Sequence, residues 1–234
     1  MEVDYQNIKV IGFDADDTLW VNETYFRDAE IAFAKLLSQY ETPNKIDQEL
    51  FRMEIDNLEL YGYGVKAFML SMVESALEIS NYNVDAQTIE AILNIGKEML
   101  DKPVELLDGV EDVLKKLSKK YKLILATKGD LLDQERKLEK SGLTTYFHHI
   151  EVLSDKKEAN YSRLLNHLDI NPSEFLMIGN SLKSDILPLV NLKAHAVHIP
   201  FHTTWAHEMV SETEMNGKSY KTLSSLRDLV PLLI

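Results

Sequence analysis

Apolar residues recur with helical spacing at Ala29, Ala32, Phe33, Leu36, Leu37 and Tyr40, and again at Val65, Phe68, Met69, Met72, Ala76 and Ile79. The i, i+3, i+4, i+7 rule puts each set on one face of an amphipathic helix. Similar patterns cover 48–59 and 85–100, with the YGYG stretch at 61–64 as a break, so 22–102 reads as an all-helical block. Outside it the texture alternates. A short β-type run at 8–13 comes first, interrupted by Lys9 and Gly12. After Pro103 follow a helix at 110–119, a strand at 122–126, a helix at 131–140, a strand at 149–153 and a helix at 159–168. A strand at 175–178, a short helix at 186–191, a last strand at 194–199 and a terminal helix in SSLRDLVPLLI complete the pattern.

Strand and helix in strict turn predict an α/β fold with a parallel, doubly wound sheet. Its first strand precedes the helical block, so that block is an insertion. The expected domains are a sheet core of 1–21 and 103–234 and a helical domain of 22–102, hinged near Asn22 and Pro103. No repeat, low-complexity segment or Gly/Ser linker interrupts the chain.

Composition narrows the function classes. With 38 acidic against 25 basic residues the net charge is −13, which argues against nucleic acid or an anionic membrane as a partner. An anionic substrate must then be drawn in by a local positive site. Cysteine is absent, which excludes disulfides, thiolate metal sites and a cysteine nucleophile. The opening MEVDYQNIKV lacks a charged-then-apolar signal pattern, and no apolar stretch is long enough to span a bilayer. The expectation is a cytoplasmic protein, monomer or homodimer.

In open parallel sheets ligands sit beyond the carboxyl ends of the strands, and here those ends carry polar clusters. Asp14, Asp16, Asp17 and Thr18 follow the first strand; Thr127, Lys128 and Gly129 follow the second. Gly179, Asn180, Ser181 and Asp185 follow the run at 175–178, and Lys156 and Lys157 precede the helix at 159–168. Asp14, Asp16 and Asp17 place three carboxylates in four positions, and like charges so close raise one another's pKa unless a cation or hydrogen-bond donors compensate. A compensating cation is therefore expected.

The four clusters together resemble the motifs of the haloacid dehalogenase-like hydrolase superfamily, whose members are mostly phosphatases with an aspartate nucleophile. DADDT matches the first motif, Asp-x-Asp-x-Thr; LILAT matches the second, a strand ending in Thr or Ser; DKK supplies the lysine of the third; and GNSLKSD resembles the fourth. The resemblance spans about 8–200. It implies that Asp14 is the nucleophile, forming an aspartyl-phosphate, and that Asp16 is the general acid and base. It also implies that Thr127 and Lys156 act on the phosphoryl group, Lys157 being the fallback lysine, with Thr18, Lys128 and Gly129 on the substrate side. Mg2+ would rest on Asp14, the Asp16 carbonyl, Asn180 and Asp185. The helical insertion would be a mobile cap that excludes water and selects a small phosphate ester such as a sugar phosphate or nucleotide.

Asn180 departs from the motif, which usually has an acid there, and so removes a charge from the metal shell. The alternatives are a phosphomutase using the same intermediate and a weakly catalytic Mg2+ or phosphate-binding module. Dehalogenation is disfavoured because its enzymes need no metal and typically lack the second aspartate. A metal-nucleotide Asp-x-Asp of the glycosyltransferase kind would leave Thr127, the lysine and Gly179 unexplained. Other polar residues have plainer readings: Asp17 as a solvated or capping carboxylate, Ser181 as a helix cap, and His148 and His149 as structural. Tyr61, Tyr63, Lys66, His202 and Trp205 are weak candidates for pocket walls.

Overall fold

A computed structural model describes residues 5–234. The first four residues, part of the amino-terminal stretch read above for a signal pattern, lie outside the described residues. The chain divides into two compact units, one of Met1–Glu23, Val104–Lys128 and Gln134–Ile234, the other of Thr24–Pro103 with Gly129–Asp133.

The first unit is built on a sheet of strands β1 (Val10–Phe13), β2 (Lys122–Lys128), β3 (His149–Leu153), β4 (Phe175–Gly179), β5 (His195–His198) and β6 (Lys221–Thr222). All pairings are parallel and the order is β3-β2-β1-β4-β5-β6. The chain moves outward from β1 to β3 and then returns to the other side of β1, so the order reverses between β1 and β4. A crevice opens at the carboxyl ends of strands at such a reversal.

Alternation along the strands explains why both faces are covered. Ile11, Phe13, Leu123, Leu125, Leu176 and Ile178 point to one side and pack on Val113 and Leu117 of α5 (Val110–Leu117) and Leu229 of α10 (Leu229–Leu233). Val10, Ile124, Ala126, Phe175 and Met177 point to the other and pack on Tyr161 and Leu164 of α7 (Glu158–His167) and Leu189 of α8 (Leu187–Asn191). Gly12 belongs to the second set, and a Cβ there would lie 2.5 Å from the Phe175 ring. Its missing side chain is the space that the ring fills. On the first face, α6 (Leu131–Ser141) contributes Leu138.

The second unit contains α1 (Glu23–Leu36), α2 (Pro43–Tyr61), α3 (Val65–Ile79) and α4 (Ala86–Asp101). Phe33 and Leu37, Ile46 and Leu50, Phe68 and Met72, and Ile92 form its core. The apolar stripes read from the sequence thus meet one another. Asp85 caps α4, its carboxylate accepting the Thr88 N–H at 2.9 Å.

The strand at 194–199 is not the last one. The two-residue β6 follows it, too short to show an alternating pattern, and α9 (Glu212–Met215) lies between them. A π-helical turn, Leu182–Ile186, precedes α8 where a plain helix start was expected. No helix among the described residues is long and apolar enough to cross a membrane.

Phe33 is fully buried at the centre of the helical unit. Phe33→Ala is expected to cost about 3–5 kcal/mol through lost burial and the cavity left behind, seen as a lower urea midpoint in far-ultraviolet circular dichroism.

Candidate active site

The β1–β4 pairing continues one step past β1, where the Asp14 N–H donates to the Ile178 carbonyl at 2.9 Å. Asp14 is thereby fixed at the reversal point of the sheet. Lys156, in the loop before α7, places its ammonium between two carboxylates: Nζ is 2.5 Å from Asp14 Oδ1 and 2.6 Å from Asp185 Oδ1. All three groups are buried. Burial alone would discharge the lysine, but Asp14 and Asp185 overcome that effect and hold its pKa well above the usual value. For Asp14, burial is the largest influence and pushes the carboxyl up to about 7, against the pull of Lys156 and with a smaller push from Asp185.

Asp185 reaches this position because of Gly179 and the π-helical turn. Its Oδ2 accepts the Ser181 N–H at 3.0 Å, and a Cβ on Gly179 would stand 2.2 Å from that oxygen. Only glycine leaves room for the carboxylate. Ser181 caps the turn, its hydroxyl accepting the Ser184 N–H.

Thr18 joins the fourth motif to the first. Its hydroxyl is 3.0 Å from Asp14 Oδ2 and 3.3 Å from Asn180 Oδ1, so one donor serves two converging oxygens. Of the two lysines, Lys156 stands beside Asp14, whereas the Lys157 side chain is 76% exposed and pairs with Asp155.

Asp16 has a different set of partners. Trp20 Nε1 (2.7 Å) and Lys137 Nζ (2.9 Å) donate to its Oδ1, and Gln134 Nε2 (2.8 Å) donates to its Oδ2. Burial works against its charge, but these three donors prevail and hold the carboxyl below the usual range. Gln134 Nε2 also lies 3.1 Å from Thr127 Oγ1 and 2.7 Å from the Lys128 carbonyl, which links the second motif to the first.

Asp17 is a cap, as one of its two readings held, but it is buried rather than solvated. At φ 61° it turns its carboxylate onto the N–H groups of Asn22 and Glu23, and burial, with Asp16 and Glu23 nearby, raises its pKa to about 8.

Among the described residues no three His, Cys, Asp or Glu side chains form a group that could hold a metal ion. The oxygen donors brought together at the site are the Asp14 and Asp185 carboxylates and the Asn180 amide oxygen. These are hard oxygen donors of the kind that Mg2+ takes.

The profile of the haloacid dehalogenase-like hydrolases matches residues 8–192, all four clusters included. The chain belongs to this family. It is 24% identical to the N-acylneuraminate-9-phosphatase of Mus musculus over 190 residues, 76% of this chain and 77% of that protein. The crystal structure of a haloacid dehalogenase-like family hydrolase from Xanthomonas campestris superposes with a TM-score of 0.86 at 36% identity, covering 98% of this chain and 93% of the other. The fold is shared also with a 2-haloacid dehalogenase from Pseudomonas syringae, with a TM-score of 0.64 at 19% identity over 97% and 98% of the two chains. The chain is thus a hydrolase of the haloacid dehalogenase-like family.

Within this hydrolase, several side chains named from the sequence have partners of their own. Lys128, read as a substrate contact, has its Nζ 2.6 Å from Glu208 and 2.9 Å from Ser184 Oγ. Glu208 follows β5 in the loop containing Trp205 and also takes hydrogen bonds from the Ser181 and Ser184 hydroxyls. Gly129 belongs to the segment that clusters with the helical unit. Within that unit, Lys66 pairs with Asp130 at 2.8 Å and Tyr61 donates to Glu74 at 2.5 Å. His202 stacks on Phe201 and Trp205 on His207, while His149 faces Glu151.

Gln134, Lys137, Trp20 and Glu208 were not read as site residues. Gln134 and Lys137 sit at i, i+3 on the helix after the second motif, the only pattern they offer.

Two outcomes follow. Gly179→Ala should displace Asp185 and cut phosphate-ester turnover at least roughly tenfold, checked by steady-state kinetics beside a thermal melt. Burial opposes the charge of Glu208, yet Lys128 and the serine hydroxyls depress its pKa from 4.5 to about 2. Its carboxylate therefore adds on the order of 3 kcal/mol above the unfolded-state pKa, a contribution lost as pH falls from there toward the folded value. Glu208→Gln should be less stable than wild type at pH ~7, and the gap should shrink below pH ~4, as read by denaturant unfolding at each pH.

Proposed function

We propose that the protein is a magnesium-dependent phosphatase that hydrolyses a small phosphorylated metabolite through an aspartyl-phosphate on Asp14. The observation that carries this reading is the convergence of Asp14, Lys156, Asp185, Thr18 and Asn180 where the sheet order reverses, with Asp16 and Thr127 joined to each other through Gln134.

In the first half-reaction an Asp14 oxygen attacks phosphorus in line, the bond from phosphorus to the ester oxygen breaks, and Asp16 gives its proton to the departing alkoxide. In the second, Asp16 takes a proton from water, the resulting hydroxide attacks the acyl phosphate, and inorganic phosphate leaves with Asp14 restored. The donors around Asp16 favour the charged form that the second half needs. An arriving phosphate dianion favours the protonated form that the first half needs, because like charges raise a carboxyl pKa. Lys156 neutralises charge on Asp14 and on the transferring group, and Thr127 supplies a hydroxyl to a non-bridging oxygen.

Magnesium would be held by Asp14, Asn180 and the Asp16 carbonyl, with Asp185 beside them, and would supply Lewis-acid neutralisation of phosphoryl oxygens. Both oxygens of Asp14 and of Asp185 accept hydrogen bonds here, each carboxylate taking one from Lys156. The helical insertion, 22–102 as read from the sequence, is taken as the substrate-selecting cap. A phosphorylated sugar acid is a natural first substrate to try, given the related N-acylneuraminate-9-phosphatase. Asp16, with its dedicated donors, favours a phosphatase over a dehalogenase, which has no alkoxide to protonate.

The test is phosphate release from a panel of phosphorylated sugars, sugar acids and nucleotides, with magnesium and with chelator. Wild type should release phosphate only with the metal, and Asp14→Asn should lose at least about 1,000-fold while keeping its fold. An active Asp14→Asn variant would remove the covalent route, and isomer formation in place of phosphate release would indicate a mutase.

A further inference from the structure

Asp16 must act twice in the proposed cycle, so what holds its carboxylate in place matters as much as its identity. We infer that Gln134 and Lys137 of α6 are positioning residues that clamp Asp16 for proton transfer to and from the substrate. The inference rests on the phosphatase reading above and goes further by assigning roles to two residues outside the four motifs.

The geometry is specific. Residues three apart on a helix share a face, and from that face Lys137 takes one Asp16 oxygen while Gln134 takes the other. Lys137 Nζ is also held by Asn22 Oδ1 at 2.8 Å, so the ammonium has a second anchor besides the carboxylate. Gln134 is almost fully buried, and its amide nitrogen touches Asp16, Thr127 and the Lys128 carbonyl together. It therefore sets the spacing between the proton-transfer group and the phosphoryl anchor.

The other end of the same amide shows that this orientation is held at a cost. Gln134 Oε1 is buried without a hydrogen-bond partner, which typically costs about 1–3 kcal/mol. Turning the amide over would set an oxygen against the Asp16 carboxylate and the Lys128 carbonyl, two acceptors, with only the Thr127 hydroxyl able to donate to it. A glutamine serving stability alone has no need of so asymmetric a placement. Here one NH2 group is aimed at three acceptors of the two motifs.

The clamp predicts a signature that loss of packing would not produce. Single-turnover ester cleavage is measured with p-nitrophenyl phosphate, whose leaving group departs readily without a proton, and with phenyl phosphate, which has similar bulk and a poorer leaving group. Lys137→Met is expected to lose roughly 10- to 100-fold on phenyl phosphate and less than about threefold on p-nitrophenyl phosphate. On an Asp16→Asn background the same substitution should cost less than about twofold on either ester, because groups acting as one unit are non-additive. Lys137→Gln provides a second variant should the methionine not fold, with a thermal melt as the control. Equal losses on the two esters, or equal losses on the two backgrounds, would overturn the clamp and leave the phosphatase reading standing. Wild-type protein without Asp14-dependent cleavage of either ester would overturn both.

Discussion

The buried Lys156 ammonium is the interaction on which the site depends. Two carboxylates, Asp14 just past β1 and Asp185 in the π-helical turn after β4, could not share a water-poor interior without a cation between them. Removing one partner of such a cluster costs about 3–5 kcal/mol, because the remaining charges are left uncompensated. The surrounding fold keeps the cluster together. The β1–β4 register fixes Asp14, the bare α-carbon of Gly179 admits the Asp185 carboxylate, and the Tyr161 hydroxyl ties α7 to the π-helical turn through the Ser184 carbonyl. A sheet reversal supplies the crevice, and the ion cluster turns it into a chemical site.

Charge counting around this cluster qualifies the expectation of a local positive site in an acidic protein. Lys156, Lys137 and Lys128 are all present, but each already faces a carboxylate: Asp14 and Asp185, Asp16, and Glu208 respectively. With these acids ionised, the carboxylates outnumber the ammonium groups by one. On the phosphatase reading proposed above, an anionic ester would enter a site whose lysines already face carboxylates, and the proposed magnesium would supply the missing charge. Asn180 also fits this balance. In place of the usual acid it contributes an oxygen without adding another negative charge beside Asp14.

Much of this was legible in the sequence because it is carried by local patterns. Short continuous apolar runs marked β1, β2 and β4, which are buried on both faces, helical stripes marked the inserted unit, and the strand-end clusters named Asp14, Thr18, Lys156, Asn180 and Asp185, all of which the fold brings together. Asp16 and Thr127 are joined to each other by Gln134. What stayed illegible depends on distant parts of the chain. Lys128 follows Thr127, but its ion pair with Glu208, from a loop after β5 with no pattern of its own, was not legible locally. The clamp on Asp16 comes from α6, whose polar face reads as ordinary solvated surface until β2 is placed beside β1. The π-helical turn escapes notice because it differs from an α-turn by one residue, and β6 because two residues cannot alternate.

Within the protein itself, the crowding of Asp14, Asp16 and Asp17 is eased by giving each carboxyl group its own partners. Asp14 is matched by Lys156, Asp16 by donors from α6 and Trp20, and Asp17 by the first N–H groups at the start of α1. The left-handed turn at Asp17 makes the division work, since it rotates the third carboxylate out of the strand direction followed by the other two. The partners of Asp17, the Asn22 and Glu23 N–H groups, belong to the same unit as Asp14 and Asp16. The three acids thus diverge within the sheet unit, each to a donor set of its own, and the close spacing is tolerated because the turn at Asp17 separates them.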